Sequence, residues 1–159
     1  MTKLHLLIAD DEEKTRHILE LNLREVYELH LAENGQRALE VLAAMPIDIV
    51  LTDLQMPDVD GAALLQELRK REHSIPVIIM TAYGTIENAV AMMKEGVFDY
   101  VVKPVDLDQL DLSLTRAANH VRLVRENVQL RMQLKSLSGV TNIVTASPKM
   151  QSILQSVQQ

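Results

Sequence analysis

Five short strand-like stretches punctuate the first hundred residues, and a segment of helical character follows each one. Leu4–Ala9, Asp48–Thr52, Pro76–Thr81 and Phe98–Val102 are apolar runs, and Tyr27–Ala32 alternates apolar with polar residues. Runs this short, bounded by turn residues, suit buried strands rather than helices. Helix 1 is expected over Lys14 to Arg24, behind the acidic first turn Asp10-Asp11-Glu12-Glu13. Asn34-Gly35 reads as a turn before helix 2, which carries Ala38, Leu39, Val41 and Leu42 and stops at Pro46. Helix 3 is expected from Asp60 to Arg71. The loop Ala82-Tyr83-Gly84 precedes helix 4, which spans Ile86 to Glu95 and closes on Gly96 as a left-handed cap. Helix 5 begins near Asp106. Five strand–helix alternations predict an α/β fold: a doubly wound, five-stranded parallel sheet with helices on both faces and right-handed crossovers.

Composition narrows the class. Hydrophobic residues make up 47% of the 159 residues but aromatics only 3%, so the core must be aliphatic. There is no Cys, hence no disulfide framework and no thiolate metal site. No apolar run is long enough to span a membrane and the N-terminus lacks a signal-peptide layout, which reads as a cytoplasmic chain without membrane contact. Charge is uneven. Residues 1–112 hold 10 Lys/Arg against 21 Asp/Glu, whereas residues 113–159 hold 6 against 1. The acidic part argues against nucleic-acid binding. The basic part lacks aromatics and clustered charge and reads as a solvated helix face.

The strand ends carry the chemistry. In an open sheet of order 2-1-3-4-5, strands 1 and 3 are neighbours and their carboxyl ends form the switch point where ligands bind. Asp10, Asp11 and Asp53 then converge, since neighbouring strands lie roughly 4.8 Å apart. Three carboxylates so close must take up a proton or bind a cation, and an all-oxygen site with room for water suits Mg²⁺. Strands 4 and 5 bring Thr81 and Lys103 to the same edge. Taken singly, each is an ordinary turn residue or surface charge. Together, a cation, a lysine and a hydroxyl are what an incoming phosphoryl group needs. Asp53, flanked by the acid pair and by Thr81 and Lys103, is the best placed nucleophile.

Asp10-Asp11, Asp53-Leu54-Gln55-Met56-Pro57-Asp58-Val59-Asp60-Gly61, Thr81-Ala82 and Lys103-Pro104 closely resemble the receiver domain of two-component response regulators, over residues 3–120. That resemblance implies a flavodoxin-like fold in which Asp53 accepts a phosphoryl group from a sensor histidine kinase. It implies Mg²⁺ bound by Asp11, Asp53 and the Gln55 backbone carbonyl, with Asp10 acting through water. Thr81 and Lys103 would hold the phosphoryl oxygens. Tyr100 matches the family's rotating switch aromatic, against the plainer reading of a half-buried strand residue. A cis Lys103–Pro104 peptide is also expected, and helix 1, from Lys14, Thr15 and Ile18, is expected to choose the kinase.

Beyond the receiver, Leu110, Leu114, Ala117, Val121, Val124 and Val128 recur at alternating spacings of 4 and 3. A second seam, Leu123, Asn127, Leu130, Leu134 and Leu137, continues the alternation with one polar residue, as in a two-stranded coiled coil. A helix from Asp106 to Leu137 would be about 48 Å long, which outruns a receiver-sized domain and favours a homodimer over a helix lying on its own domain. Val121, Val124, Asn127, Val128, Leu130 and Leu134 are the expected dimer linker. Ser138-Gly139 is expected to end the helix, Asn142 to Ala146 to be extended, and Ser147-Pro148 to open a short helix with Met150, Ile153, Leu154 and Val157.

Residues 143–153 resemble the start of the ATPase domain of sigma-54-dependent (NtrC-type) transcription activators, with Thr145 where that family has glycine. No G-x-x-x-x-G-K-[ST] occurs, so the chain reads as the regulatory piece of a longer activator and not itself an enzyme. The expected partition is a receiver over 1–120, a linker over 121–138 and a truncated ATPase start over 139–159. Sigma-54 RNA polymerase would be reached only through absent domains. Two alternatives stay open: a stand-alone receiver acting by protein contact, and a phosphatase of the haloacid dehalogenase type. The second needs an acid two residues after the nucleophile, where this chain has Gln55.

Overall fold

The computed structural model describes residues 2–70, 75–82 and 84–144. Strands and helices alternate along the chain: β1 (His5–Ala9), α1 (Glu13–Leu23), β2 (Glu28–Ala32), α2 (Gly35–Ala44), β3 (Ile49–Asp53), α3 (Gly61–Arg69), β4 (Val77–Thr81), α4 (Ile86–Lys94), β5 (Asp99–Val102) and α5 (Leu107–Val144). The five strands form one parallel sheet in the order β2-β1-β3-β4-β5. Ala9 pairs with Thr52, Asp53 with Met80 and Thr81 with Val102, so the strands finish along one common edge.

Alternation along each strand sorts its apolar side chains onto two faces. On one face Leu6, Ile8, Leu51, Ile78 and Met80 meet Leu19 and Leu23 of α1 and Leu110, Leu114, Ala117 and Val121 of α5. On the other, Leu7, Ala9, Val50 and Ile79 meet Ala38 and Leu42 of α2, Leu64, Leu65 and Leu68 of α3, and Met92 of α4. β3 and β4 are buried along their whole length, as strands covered on both faces must be. Each fully buried Leu or Ile contributes about 1.5–3 kcal/mol over its exposed state.

The helix starts explain several sequence patterns. Asn34 is the N-cap of α2, its side chain accepting from the Arg37 amide at 2.7 Å, so Asn34-Gly35 opens a helix and is not a separate turn. Asp60 caps α3 by accepting from the Ala63 amide at 2.8 Å, and Thr85 caps α4 by accepting from Asn88 at 3.2 Å. Gly96 follows α4 with φ +89°, the left-handed cap its sequence position predicts. β3 extends one residue further than expected and includes Asp53.

The chain divides into two compact units, Met1–Val121 and Arg122–Gln159. Helix α5 supplies backbone to both. Its backbone stays helical through Ser138-Gly139 to Val144, so the expected stop there is corrected, as is the extended start at Asn142. A single glycine costs a helix only about 1 kcal/mol and does not by itself end one. Val121, expected in the dimer seam, is buried in the first unit's core. In the second unit Leu123, Val124, Val128, Leu130, Leu134 and Leu137 are exposed. The end of helix 3 at Arg71, the Tyr83 position and the short helix after Ser147-Pro148 lie outside the described residues. Among the described residues no helix is long and apolar enough to cross a membrane.

Candidate functional site

Asp10 follows β1, Asp53 ends β3, Thr81 ends β4 and Lys103 follows β5, so four strand ends deliver these side chains to one edge of the sheet. Ligand oxygens of Asp10, Asp11 and Asp53 all lie within 4.8 Å of one another. Asp10 is fully buried, Asp53 nearly so, and Asp11 exposed. The Lys103 ammonium donates to Asp53 Oδ2 at 2.8 Å and to Asp10 Oδ2 at 3.0 Å. Asp53 Oδ1 accepts from the Gln55 amide at 3.3 Å. Asp11, Asp53, Gln55, Thr81 and Lys103 line an open cleft of about 420 Å³ with Leu54, Met56, Pro57 and Ala82. The Lys103–Pro104 peptide is cis, as expected from the sequence.

Burial pushes the Asp10 carboxyl above its ordinary pKa, against the Glu12 amide and the Lys103 ammonium, which stabilise the charge. Burial also pulls on Lys103, toward the neutral amine. There the hydrogen bonds to Asp53 and Asp10 prevail, and the net shift is upward. One ammonium thus stands against three carboxylates. That imbalance, with donors that are all hard oxygens, fits a divalent cation of the Mg²⁺ kind.

The sequence reading brings together Asp10, Asp11, Asp53, Gln55, Thr81 and Lys103 in this way. Tyr100 lies elsewhere: half-buried, it packs on the sheet face covered by α2, α3 and α4 and does not line the cleft. Two supports were missed. Arg16, on α1, donates from its guanidinium to the Asp10 backbone carbonyl at 2.7 Å. The Glu12 amide donates to Asp10 Oδ1 at 2.8 Å. Both tie down the turn that carries the acid pair, and a basic residue one turn into a helix beside two aspartates was the available signal. Close packing fixes the other wall. A Cβ on Gly61 would stand 2.5 Å from the Asp53 carbonyl oxygen, so only glycine lets α3 begin against the end of β3. Asp58 takes φ +68° in the intervening loop, a conformation that Asp tolerates better than most residues.

Sheet order, carboxylate edge and lysine together define a receiver-type α/β module of two-component signalling. The chain belongs to the response regulator receiver domain family, whose model matches residues 6–115. It is 40% identical over 149 residues to Regulatory protein AtoC of Escherichia coli K12, covering 93% of this chain and 32% of that protein. The chain therefore spans about a third of the length of that curated relative. Among solved structures it resembles the signal receiver domain of an HD domain-containing protein from Pseudomonas fluorescens Pf-5, with TM-score 0.71, 28% identity, and 79% of this chain and 94% of that one covered. It also resembles NtrX from Brucella abortus, crystallised in complex with ATP, with TM-score 0.73, 30% identity, and 81% and 30% covered.

Proposed function

We propose that this chain is the phosphoacceptor module of a response regulator, and that Asp53 receives a phosphoryl group from a sensor histidine kinase. The observation that carries the reading is the convergence of Asp10, Asp11 and Lys103 on Asp53 at the carboxyl edge of the sheet. One Asp53 carboxylate oxygen bonds to phosphorus as the phosphorus–nitrogen bond to the kinase histidine breaks, and the imidazole leaves with the electron pair. Lys103, now on Asp53 Oδ2, is within reach of the phosphoryl oxygens that the new bond places there. Thr81 offers a hydroxyl from the adjacent strand end. Asp11, Asp53 and the Gln55 carbonyl would hold Mg²⁺ directly and Asp10 through water, and the bound ion would neutralise charge on the transferring group.

Domains and partners follow the same reading. Residues 1–120 act as the receiver in the cytoplasm. The helix beyond, through Val124, Asn127, Val128, Leu130 and Leu134 with Val121 at its base, pairs with a second copy. Residues 139–159 lead into the ATPase domain of a sigma-54-dependent activator. The exposed apolar seam on a helix of this length supports the pairing. Phosphorylation is read out through α4, β5 with Tyr100, and α5, a face whose two states the phosphoryl group biases.

Labelling by acetyl phosphate tests the central step. Wild type should take up one phosphoryl group per chain with Mg²⁺ and none with chelator, and Asp53→Asn should take up none. Full labelling of Asp53→Asn, or labelling indifferent to Mg²⁺, would remove the assignment.

A further inference from the structure

A second group of metal-ligating side chains stands at the opposite end of the sheet from Asp53. His5 opens β1 and His30 lies in β2, the edge strand. Both are half-buried, on the sheet face that α2 covers, because they alternate with Leu6 and with Leu29 and Leu31 of the other face. His5 Nδ1 and His30 Nε2 are 2.9 Å apart. The ring centroids are 5.2 Å apart with planes 21° from parallel. That centroid spacing is the nitrogen–nitrogen distance plus the two ring radii. The imidazoles therefore meet edge to edge, nitrogen facing nitrogen, and do not stack.

Facing lone pairs have two uses, a shared proton or a shared metal. Two nitrogens bound to one ion at about 2.0–2.1 Å, at right or tetrahedral angles, lie about 2.8–3.4 Å apart. The donor atoms already stand at that distance, so ligation asks for ring rotation and no movement of the strands. In the neutral pair one ring donates and the other accepts. Moving the donor's proton to its other nitrogen frees both facing lone pairs, with no net proton lost. Glu28 is directly across the ladder from His5 and two residues before His30 on the same face, and its charge already acts on His30. Its exposed carboxylate is not gathered with the two imidazoles as a third ligand, so its part is favourable charge beside a bound cation. Asp48, just before β3, accepts from the His5 backbone amide at 2.7 Å and adds a second negative charge nearby.

We propose that His5 and His30 form a two-imidazole site, its remaining positions taken by water, for an imidazole-preferring divalent first-row ion of the Ni²⁺, Cu²⁺ and Zn²⁺ class. This site is separate from the hard-oxygen cluster at Asp53, and the proposal does not depend on the phosphoacceptor reading. Its effect is mechanical. β2 is paired on one side only, by β1, and an ion bridging side chains of the two strands clips that edge in place.

Ni²⁺ alone is the probe, titrated below stoichiometry into the tag-free, ¹⁵N-labelled 159-residue chain in excess Mg²⁺. Paramagnetic broadening should concentrate at the amides of residues 4–6 and 28–31. It should persist in Asp53→Asn and disappear from this end of the sheet in both His5→Gln and His30→Gln, whose remaining spectra report that they fold. Broadening confined to residues near Asp10, Asp11 and Asp53 in the wild type would overturn the proposal. So would broadening at β1 and β2 that survives either histidine substitution.

Discussion

Gly35→Ala sets two physical rules against each other, and the structure decides between them. Gly35 is the first residue of α2, where alanine should help: replacing a helical glycine gains at most about 1 kcal/mol. A Cβ built there, however, lies 1.9 Å from the Val59 carbonyl oxygen and 2.6 Å from both the Val59 carbonyl carbon and its Cβ. The obstacle is mainly backbone, so no side-chain rotation relieves it. Forcing an extra methyl into a packed contact costs about 1–3 kcal/mol, and a clash this deep belongs in the upper part of that range. The net loss should be about 1–2 kcal/mol, or a fall in Tm of roughly 4–8 °C for a unit of this size. Val59 lies in the loop between Asp53 and Gly61, so the relaxed loop should also slow labelling by acetyl phosphate. Urea unfolding of the full chain is the assay, with Gln36→Ala at the next, exposed position expected within about 0.5 kcal/mol of wild type. A Gly35→Ala chain as stable as wild type, or more so, would refute the steric argument and leave helix propensity in charge.

Arg16→Met should weaken Mg²⁺-dependent labelling while Arg16→Lys largely restores it, because what matters is a donor on the Asp10 carbonyl; labelling rates against Mg²⁺ concentration check this, and two identical curves for Met and wild type would remove the role. Leu64→Ala, at a fully buried α3 position, should cost about 2–5 kcal/mol in urea unfolding, and a loss below 1 kcal/mol would mean the core collapses around the gap. A chain ending after Val121 should sediment as a monomer when unphosphorylated and the 159-residue chain as a dimer; equal association of the two would place the interface in the receiver. Exchanging Lys14, Thr15 and Ile18 for the residues of another response regulator should redirect phosphotransfer between kinases, and an unchanged kinase preference would count against α1 as the docking helix.

The central strands were legible because their signal is hydrophobic continuity over four or five residues, which a strand buried on both faces must show, whereas the edge strand β2 showed only alternation. Strand order and the carboxylate edge then followed from topology, since Asp10, Asp53, Thr81 and Lys103 each sit where an apolar run stops. What escaped the sequence is geometry that depends on three-dimensional neighbours. Asn34-Gly35 looks like a turn because the same residue pair serves tight turns and helix caps, and only the Arg37 amide on the Asn34 side chain distinguishes them. Ser138-Gly139 looks like a stop because local propensity is all a sequence offers there. Arg16 stands one turn into α1 beside the acid pair, but the sequence does not say that its partner is the Asp10 backbone carbonyl and not a carboxylate. His5 and His30 are 25 residues apart and meet only through strand register.

The core face shared by α1 and α5 has a consequence for how the chain is made. Leu6 and Ile8 leave the ribosome about a hundred residues ahead of Leu110, Leu114 and Ala117, which are fully buried against the same cluster. At roughly 5–20 residues per second, the emerging sheet keeps that face partly uncovered for several seconds. α2 and α3 can dock on the opposite face in the meantime. The nascent chain thus passes through a one-sided state whose exposed strip, Leu51, Ile78 and Met80 among others, is apolar and suited to capture by a chaperone or by another nascent copy. Substitutions that weaken α5 packing should therefore lower the yield of folded protein during synthesis more than they lower the stability of chains that have already folded.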